Sequence, residues 1–109
     1  MPLSFGTSGL RGLVTELDGA TVAAYTRAFL AACPPEGALF VGRDLRPSSP
    51  GIAAAVIAAA QAAGIDTVDC GALPTPALAL AAMAAGAPAV MVTGSHIPAD
   101  RNGLKFYRR

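Results

Sequence analysis

A chain of 109 residues, of which 53% are hydrophobic and 14% charged, is long enough to bury the core of one domain and too apolar to be disordered. The formal net charge is +1 and no basic run is longer than Arg108-Arg109, which excludes the electrostatic footprint of a nucleic-acid-binding surface. An anionic small molecule is still compatible with this composition, because it needs only a few well-placed cations.

The pattern of the chain predicts a cytoplasmic protein with no membrane partner. The first residues show neither the basic nor the apolar region of a signal peptide, and the apolar stretch 72–92 is interrupted by prolines and glycines. Cys33 and Cys70 lack C-x-x-C spacing, so we expect two buried free thiols and no redox or metal motif.

Hydrophobic periodicity and the positions of glycine and proline predict helices that alternate with strands. The helices are expected at 21–33, 48–63 and 75–86, and the strands at 38–41, 67–70, 89–93 and 104–107, with a short further strand possible at 10–14. Such alternation indicates an α/β class protein, a three-layer α/β/α domain with a mainly parallel sheet. We interpret residues 1–109 as a single domain.

Three loops rich in glycine, proline and polar residues follow the predicted strands. Right-handed crossovers bring the exits of parallel strands to one edge of the sheet, which is where ligands bind in open α/β folds. The loops are GRDLRPSS, CGALPTP and TGSHIP. We therefore expect residues 7–11, 43–48 and 94–98 to approach one another, with Asp44 and Arg46 holding loops together rather than reacting.

The loop around Ser95 combines residues that suit a fixed backbone path with groups that can react. Gly94 and Pro98 favour a loop that aims several N–H groups at one anion, and Ser95 could be a nucleophile or a phosphate carrier. Ser95 could equally be a solvated loop serine, and His96 a surface histidine. Adjacent side chains usually diverge, so His96 is more suited to contact a substrate than to activate Ser95.

The segments on either side of this loop leave alternatives open. Asn102-Gly103 indicates a turn, and Lys105 alternates with apolar neighbours, so it is either solvated or directed at an anion. The opening FGTSGLRG offers Ser8 and Arg11 as donors, but it matches neither the dinucleotide-binding nor the P-loop pattern.

These segments, in this order, resemble the α-D-phosphohexomutase family, the phosphoglucomutases and phosphomannomutases. The resemblance is carried by FGTSGLRG, GRDLRPSSP, CGALPTPAL and TGSHIPADRNGLKFY. The active-serine loop of the family commonly reads T-[AG]-S-H-N-P, followed by N-G and a Lys. The matching residues are Ser95, His96, Pro98, Asn102, Gly103 and Lys105, and Ile97 stands where Asn is usual.

The resemblance implies that residues 1–109 are the first of four domains and that their four-stranded sheet is mixed, with one antiparallel strand. The magnesium-binding D-x-D-x-D motif, the sugar-recognition loop and the distal phosphate-binding loop of the later domains do not occur in these residues. We therefore expect this domain to be inactive by itself, with the missing domains of the same chain as its partners.

The resemblance also implies a mechanism in which Ser95 carries a phosphoryl group. Exchange with a hexose phosphate would interconvert 1- and 6-phosphosugars through a bisphosphorylated intermediate. Ser8 and Arg11 would bind phosphate, while His96 and Lys105 would transfer a proton or stabilise charge. Mg²⁺ would be bound through the phosphate of Ser95.

Two other functions fit some of the residues. A non-catalytic anion-binding or interaction module could keep the same loop without turnover. A serine hydrolase is less compatible, because G-x-S-x-G is absent and His96 is the one visible partner for Ser95. The preferred hexose is not indicated, since the sugar-recognition loop lies outside these residues.

Overall fold

The computed structural model describes residues 4–6, 9–94 and 100–108, with the backbone alone described for residues 4–6 and 9. The described strands are β1 (Ser4–Gly6), β2 (Gly9–Leu13), β3 (Leu39–Arg43), β4 (Thr67–Ala72), β5 (Ala89–Val92) and β6 (Arg101–Tyr107). The helices are α1 (Gly19–Ala32), α2 (Ser49–Ala62) and α3 (Thr75–Ala85), and a short 3₁₀ turn, Val14–Glu16, follows β2.

Local sequence signals account for the ends of the helices. α1 begins before the predicted position because Asp18 caps it, with the Thr21 amide donating to the carboxylate over 2.8 Å. It ends before Pro34, which cannot continue a helix. Beyond α2 and α3 lie Gly64 and Gly86, whose φ angles of 78° and 63° are the left-handed conformation typical of helix ends.

The strands form one mixed sheet in the order β1-β2-β6-β5-β3-β4. β3 is parallel to both β4 and β5, β6 is antiparallel to both of its neighbours, and β1 is antiparallel to β2. In the described part of the chain, four strands therefore share one direction and β1 and β6 oppose them. This confirms the α/β class and the mixed sheet.

The sheet is larger than expected, with six strands among the described residues instead of four. The additional pairing comes from the glycine-rich opening, which has no alternating pattern but finds a partner in β6. β6 also begins at Arg101, before the predicted start at Leu104, and Asn102-Gly103 lies inside it. The turn prediction for this pair was wrong because β2 supplies strand partners for both residues.

Helices cover the two faces of the sheet unequally. α1 and α2 cover one face, where a single cluster contains Leu10, Val22, Leu39, Val41, Val56, Val90, Val92 and Leu104, all fully buried. α3 covers the other face over β3 and β5, with Leu78, Ala82, Ala89 and Met91 in its cluster. The second face is therefore covered at β3 and β5, while β2 and β6 extend beyond α3.

None of the helices in the described residues has the length and apolar character needed to cross a membrane. Cys33 and Cys70 are free thiols, as expected, but both are partly exposed instead of buried. Cys33 lies just after α1, and Cys70 lies on the edge strand β4, so neither position is fully covered.

One buried polar group in the core is unsatisfied. Thr26 on α1 is fully buried, and its hydroxyl oxygen has no hydrogen-bond partner among the described residues. Burying a hydroxyl without a hydrogen-bond partner costs free energy of folding, because the lost hydration is not replaced.

We expect Thr26→Val to raise the free energy of unfolding by about 1 kcal/mol, because valine keeps the branched shape and removes the unpaired hydroxyl. Thr26→Ser is the control: it keeps the hydroxyl, deletes a methyl group, and should lower stability by about 1 kcal/mol. Urea unfolding followed by circular dichroism measures both. A destabilised Thr26→Val would show that the hydroxyl has a partner.

Candidate active site

The predicted site lies partly within the described residues. Of its members, the structure describes Arg11 and Lys105, while Ser8, Ser95 and His96 lie outside the described residues, as does Ile97. The residues on both sides of the loop 95–99 are described. These two flanks, Thr93-Gly94 and Asp100-Arg101, are called the loop stems below.

Arg11 and Lys105 lie on the same face of the sheet, on the neighbouring strands β2 and β6. Arg11 pairs with Gly103, and side chains two residues apart on a strand point to the same face. This face is opposite to Leu10 and Leu104, which are buried under α1 and α2. Because β2 and β6 extend beyond α3, both cations are only partly buried, and they form a positive patch there.

Gly103 allows β2, β6 and the first loop stem to approach closely. Its carbonyl accepts a hydrogen bond from the Thr93 amide over 3.0 Å. A Cβ atom at Gly103 would come within 2.7 Å of the Leu10 carbonyl oxygen and 3.3 Å of the Arg11 side chain. A glycine at this position therefore keeps Arg11 beside the strand exit that leads to Ser95.

The carboxylate of Asp44, just after β3, connects three parts of this edge. Oδ1 accepts hydrogen bonds from the Ser49 hydroxyl and, over 3.1 Å, from the Arg46 amide. Oδ2 accepts a hydrogen bond from the Gly94 amide over 3.0 Å. The Asp44 amide in turn donates to the Val92 carbonyl over 2.9 Å. One residue thus joins the exit of β3, the start of α2 and the first loop stem.

These donors keep Asp44 ionised. Burial by itself raises the pKa of this carboxyl, but hydrogen bonds from Ser49, Gly94 and the Arg46 backbone oppose it, with a further one from Thr93. The net result is a pKa below the ordinary value of 3.8. Asp44 therefore acts as a charged acceptor and has no proton to give near neutral pH.

Arg46 reaches from the first loop stem to the second. Its Nε lies 3.4 Å from Asp44 Oδ2, and its Nη1 donates to the Arg101 carbonyl over 3.1 Å. The guanidinium also covers the α-carbon of Gly94 so closely that a Cβ atom there would overlap it. The prediction that Asp44 and Arg46 hold loops together is therefore confirmed.

Asn102 ties β6 to the start of α2. Its side chain is fully buried, and its Nδ2 donates to the hydroxyls of Ser48 and Ser49 over 2.8 and 2.9 Å. Ser48 is the residue that precedes α2, but its side chain makes no capping hydrogen bond to the helix. These partners are more than fifty residues apart, so no local pattern could have revealed the contact.

The third predicted loop also reaches this edge. The Leu73 amide donates to the Arg43 carbonyl over 3.1 Å, and a cleft of about 370 Å³ opens between Asp44, Leu45 and the Leu73-Pro74 segment. The expected approach of the loops is confirmed for residues 43–48 and for the stem at Gly94. The part at 7–8 and 95–98 lies outside the described residues.

The donor set does not fit a magnesium site. No group of three or more acidic, histidine or cysteine side chains within the described ranges could hold a metal ion. Both oxygens of Asp44 already accept hydrogen bonds. A magnesium ion at this edge would need ligands from elsewhere.

Fold and site together define a class: an α/β/α domain in which the segment after β3 contacts both stems of one loop, with two partly buried cations on the neighbouring strands β2 and β6. The family model described as "Phosphoglucomutase/phosphomannomutase, alpha/beta/alpha domain I" matches residues 2–109. The chain belongs to this phosphohexomutase family, and it corresponds to the N-terminal domain.

Individual relatives agree with the family assignment. A phosphomannomutase from Sinorhizobium fredii is 56% identical over 109 residues, covering 94% of this chain and 23% of that protein. A phosphomannomutase from Salmonella muenchen is 50% identical, and the match covers 97% of this chain and 23% of that protein. A crystal structure of a phosphoglucomutase/phosphomannomutase family protein from Burkholderia thailandensis matches with a TM-score of 0.77 at 34% identity. The match covers 92% of this chain and 24% of that protein. The chain therefore spans about a quarter of the length of these proteins.

We expect Asn102→Ala to lower the free energy of unfolding by about 1–3 kcal/mol, because it leaves the α2 hydroxyls without their buried donor. Gln61→Ala on the exposed side of α2 is the control and should change stability by no more than about 0.5 kcal/mol. Urea unfolding measures both variants. Equal stability of the two would show that the buried contact contributes nothing.

Asp44→Asn should make the fold less sensitive to acid. The folded pKa of Asp44 lies below 3.8, so its ionised form stabilises the fold above that pH, and this contribution is lost as the pH falls through the folded pKa. The stability difference between wild type and variant should shrink from about pH 5 downwards. Urea unfolding at a series of pH values measures it, and a difference that grows in acid would contradict the assignment.

Proposed function

We propose that this chain is the phosphoserine-bearing domain of a hexose-phosphate mutase, which interconverts 1- and 6-phosphosugars through a bisphosphorylated intermediate. The observation that supports this most is that Arg11 and Lys105 lie on the same face of the neighbouring strands β2 and β6, next to the stem that precedes Ser95. In this proposal the two positive side chains neutralise the charge of a phosphate carried by Ser95.

The proposed reaction is a pair of phosphoryl transfers. In the first, the bond between phosphorus and Ser95 Oγ breaks while a bond forms to a free hydroxyl oxygen of the sugar phosphate. The hydroxyl loses its proton to a base, Ser95 Oγ gains one, and a sugar bisphosphate results. After the sugar turns over, its other phosphate returns to Ser95. Such transfers depend on positioning and charge neutralisation more than on covalent chemistry by the protein.

Each predicted residue has a role in this proposal. Ser95 is the carrier, because a serine hydroxyl can hold the phosphoryl group covalently between the two transfers. Ser8 and Arg11 bind phosphate beside it. Lys105 and His96 stabilise charge or move the proton, and the partly buried position of Lys105 on the patch supports its assignment.

We further propose that residues 1–109 are one domain and that the remaining domains of a longer chain are its partners. Relatives four times as long support this, since the chain matches 23% of the length of two phosphomannomutases. Mg²⁺ is the proposed cofactor, with ligands from the Ser95 phosphate and a later domain. Mannose and glucose phosphates are the first substrates to assay; a 39% identical phosphoglucosamine mutase from Thermosipho africanus adds glucosamine phosphate.

In the full-length enzyme, Ser95→Ala should abolish most turnover of mannose 1-phosphate or glucose 1-phosphate and leave the thermal midpoint within a few degrees, because it removes the carrier and little else. Intact-mass analysis should find wild type one phosphate heavier than the variant. Lys105→Ala should reduce kcat less than Ser95→Ala, since it removes a charge and not the carrier.

Thr67→Ala is the matched control, because it also removes a hydroxyl but lies where β4 begins, at the opposite edge of the sheet. It should keep both the phosphate and the turnover. If Ser95→Ala retains them too, Ser95 is not the carrier. If wild type binds sugar phosphates but carries no phosphate and turns nothing over, the domain belongs to a non-catalytic anion-binding module.

A further inference from the structure

The loop 95–99 is attached to the GRDLR segment at both of its stems. The Gly94 amide, immediately before Ser95, donates to Asp44 Oδ2 over 3.0 Å, and the Arg101 carbonyl, after the loop, accepts from Arg46 Nη1 over 3.1 Å. The two stems are thus held by side chains that are two residues apart. The segment that carries them is stabilised by a hydrogen bond from the Arg46 amide to Asp44 Oδ1.

The Asp44 carboxylate divides its two oxygens between separate tasks. Oδ1 accepts from the Ser49 hydroxyl and the Arg46 amide, which organises the start of α2. Oδ2 accepts from Gly94 and faces Arg46 Nε at 3.4 Å. The contacts that organise the start of α2 therefore use Oδ1. The hydrogen bond to Oδ2 instead holds Gly94, the residue before Ser95.

The Arg46 guanidinium is matched to a glycine at position 94. The side chain is 17% exposed, and a Cβ atom added to Gly94 would overlap its guanidinium carbon. The overlap is with the far end of a flexible side chain, so an alanine at position 94 would displace the guanidinium from the Arg101 carbonyl instead of distorting the strand. Gly94 and Arg46 are thus coupled.

We propose that Asp44 and Arg46 are positioning residues that clamp both stems of the serine loop and thereby set the place of the Ser95 hydroxyl; this inference rests on the proposed function. Neither residue touches the reacting atoms in this account. A phosphoryl group must stand in line with the attacking oxygen, and a displacement of about 1 Å can cost as much as 100-fold in rate. The clamp therefore acts on kcat through Ser95, and little on the binding of sugar phosphate.

The test is a double-mutant cycle in the full-length enzyme with Arg46→Ala, Gly94→Ala and the combined variant, each assayed for kcat, KM and thermal midpoint. Arg46→Ala and Gly94→Ala should each lower kcat by about 10- to 100-fold with KM nearly unchanged. The combined variant should be no slower than Arg46→Ala, because the guanidinium that Gly94→Ala displaces is already absent.

Asp44→Asn should lower kcat in the same way, since it weakens the acceptor for the Gly94 amide. Asp69→Asn is its matched control: Asp69 also accepts from a backbone amide, that of Gly71 over 2.9 Å, and also faces an arginine, Arg43 at 3.7 Å. It lies on the edge strand β4 and contacts neither loop stem, so it should leave kcat unchanged even if it lowers the thermal midpoint.

If Arg46→Ala keeps the wild-type kcat, or if the losses of the two single variants multiply in the combined variant, the clamp is overturned. The proposed function still holds in that case, provided that the wild-type enzyme is phosphorylated and active. A fall in thermal midpoint with full kcat per folded molecule would equally overturn the clamp, because the residues would then be structural only. A wild type without phosphoserine and without turnover would overturn the proposed function and this inference with it.

Discussion

The hydrogen-bonded carboxylate of Asp44 is the constraint on which the functional edge of the sheet depends. Removing a charged group from water costs free energy unless donors replace the lost hydration. Here the donors come from three separate elements: the turn after β3, the start of α2 and the stem after β5. The contacts that satisfy the carboxylate therefore also link these three elements to one another.

The second constraint is the place of β6 between β5 and β2. An antiparallel strand at this position requires the chain to reverse direction between β5 and β6, and the two loop stems lie where β5 ends and β6 begins. It also pairs the beginning of the chain with its end, since Arg11 lies opposite Gly103. The positive patch of Arg11 and Lys105 is thus a product of strand order and not of any local motif.

The helices contribute small alanine side chains to the core as well as large ones such as Val22, Val56 and Leu78. Ala53, Ala60 and Ala82 are almost completely buried under or beside the sheet, which lets the helices lie close to it. In an interior this dense and apolar, polar groups are costly unless paired. Asn102 meets this requirement through two hydroxyls, whereas the Thr26 hydroxyl has no partner among the residues that the structure describes. Asn102 thus connects β6 to the start of α2, and Thr26 makes no comparable connection within that part of the chain.

The three helices of the described residues and the central strands follow from local sequence, because hydrophobic period, glycine and proline act over short distances. The proline and glycine that bound α2 and the buried strand Ala89–Val92 follow from residues close together in the chain. Only the assembled fold shows that Ser4–Gly6 is a strand paired with β2, that Asn102-Gly103 is strand and not turn, and that Arg46 spans both stems. The last two outcomes depend on partners far away in sequence, and pairing energy from such partners overrides local preference wherever that preference is weak.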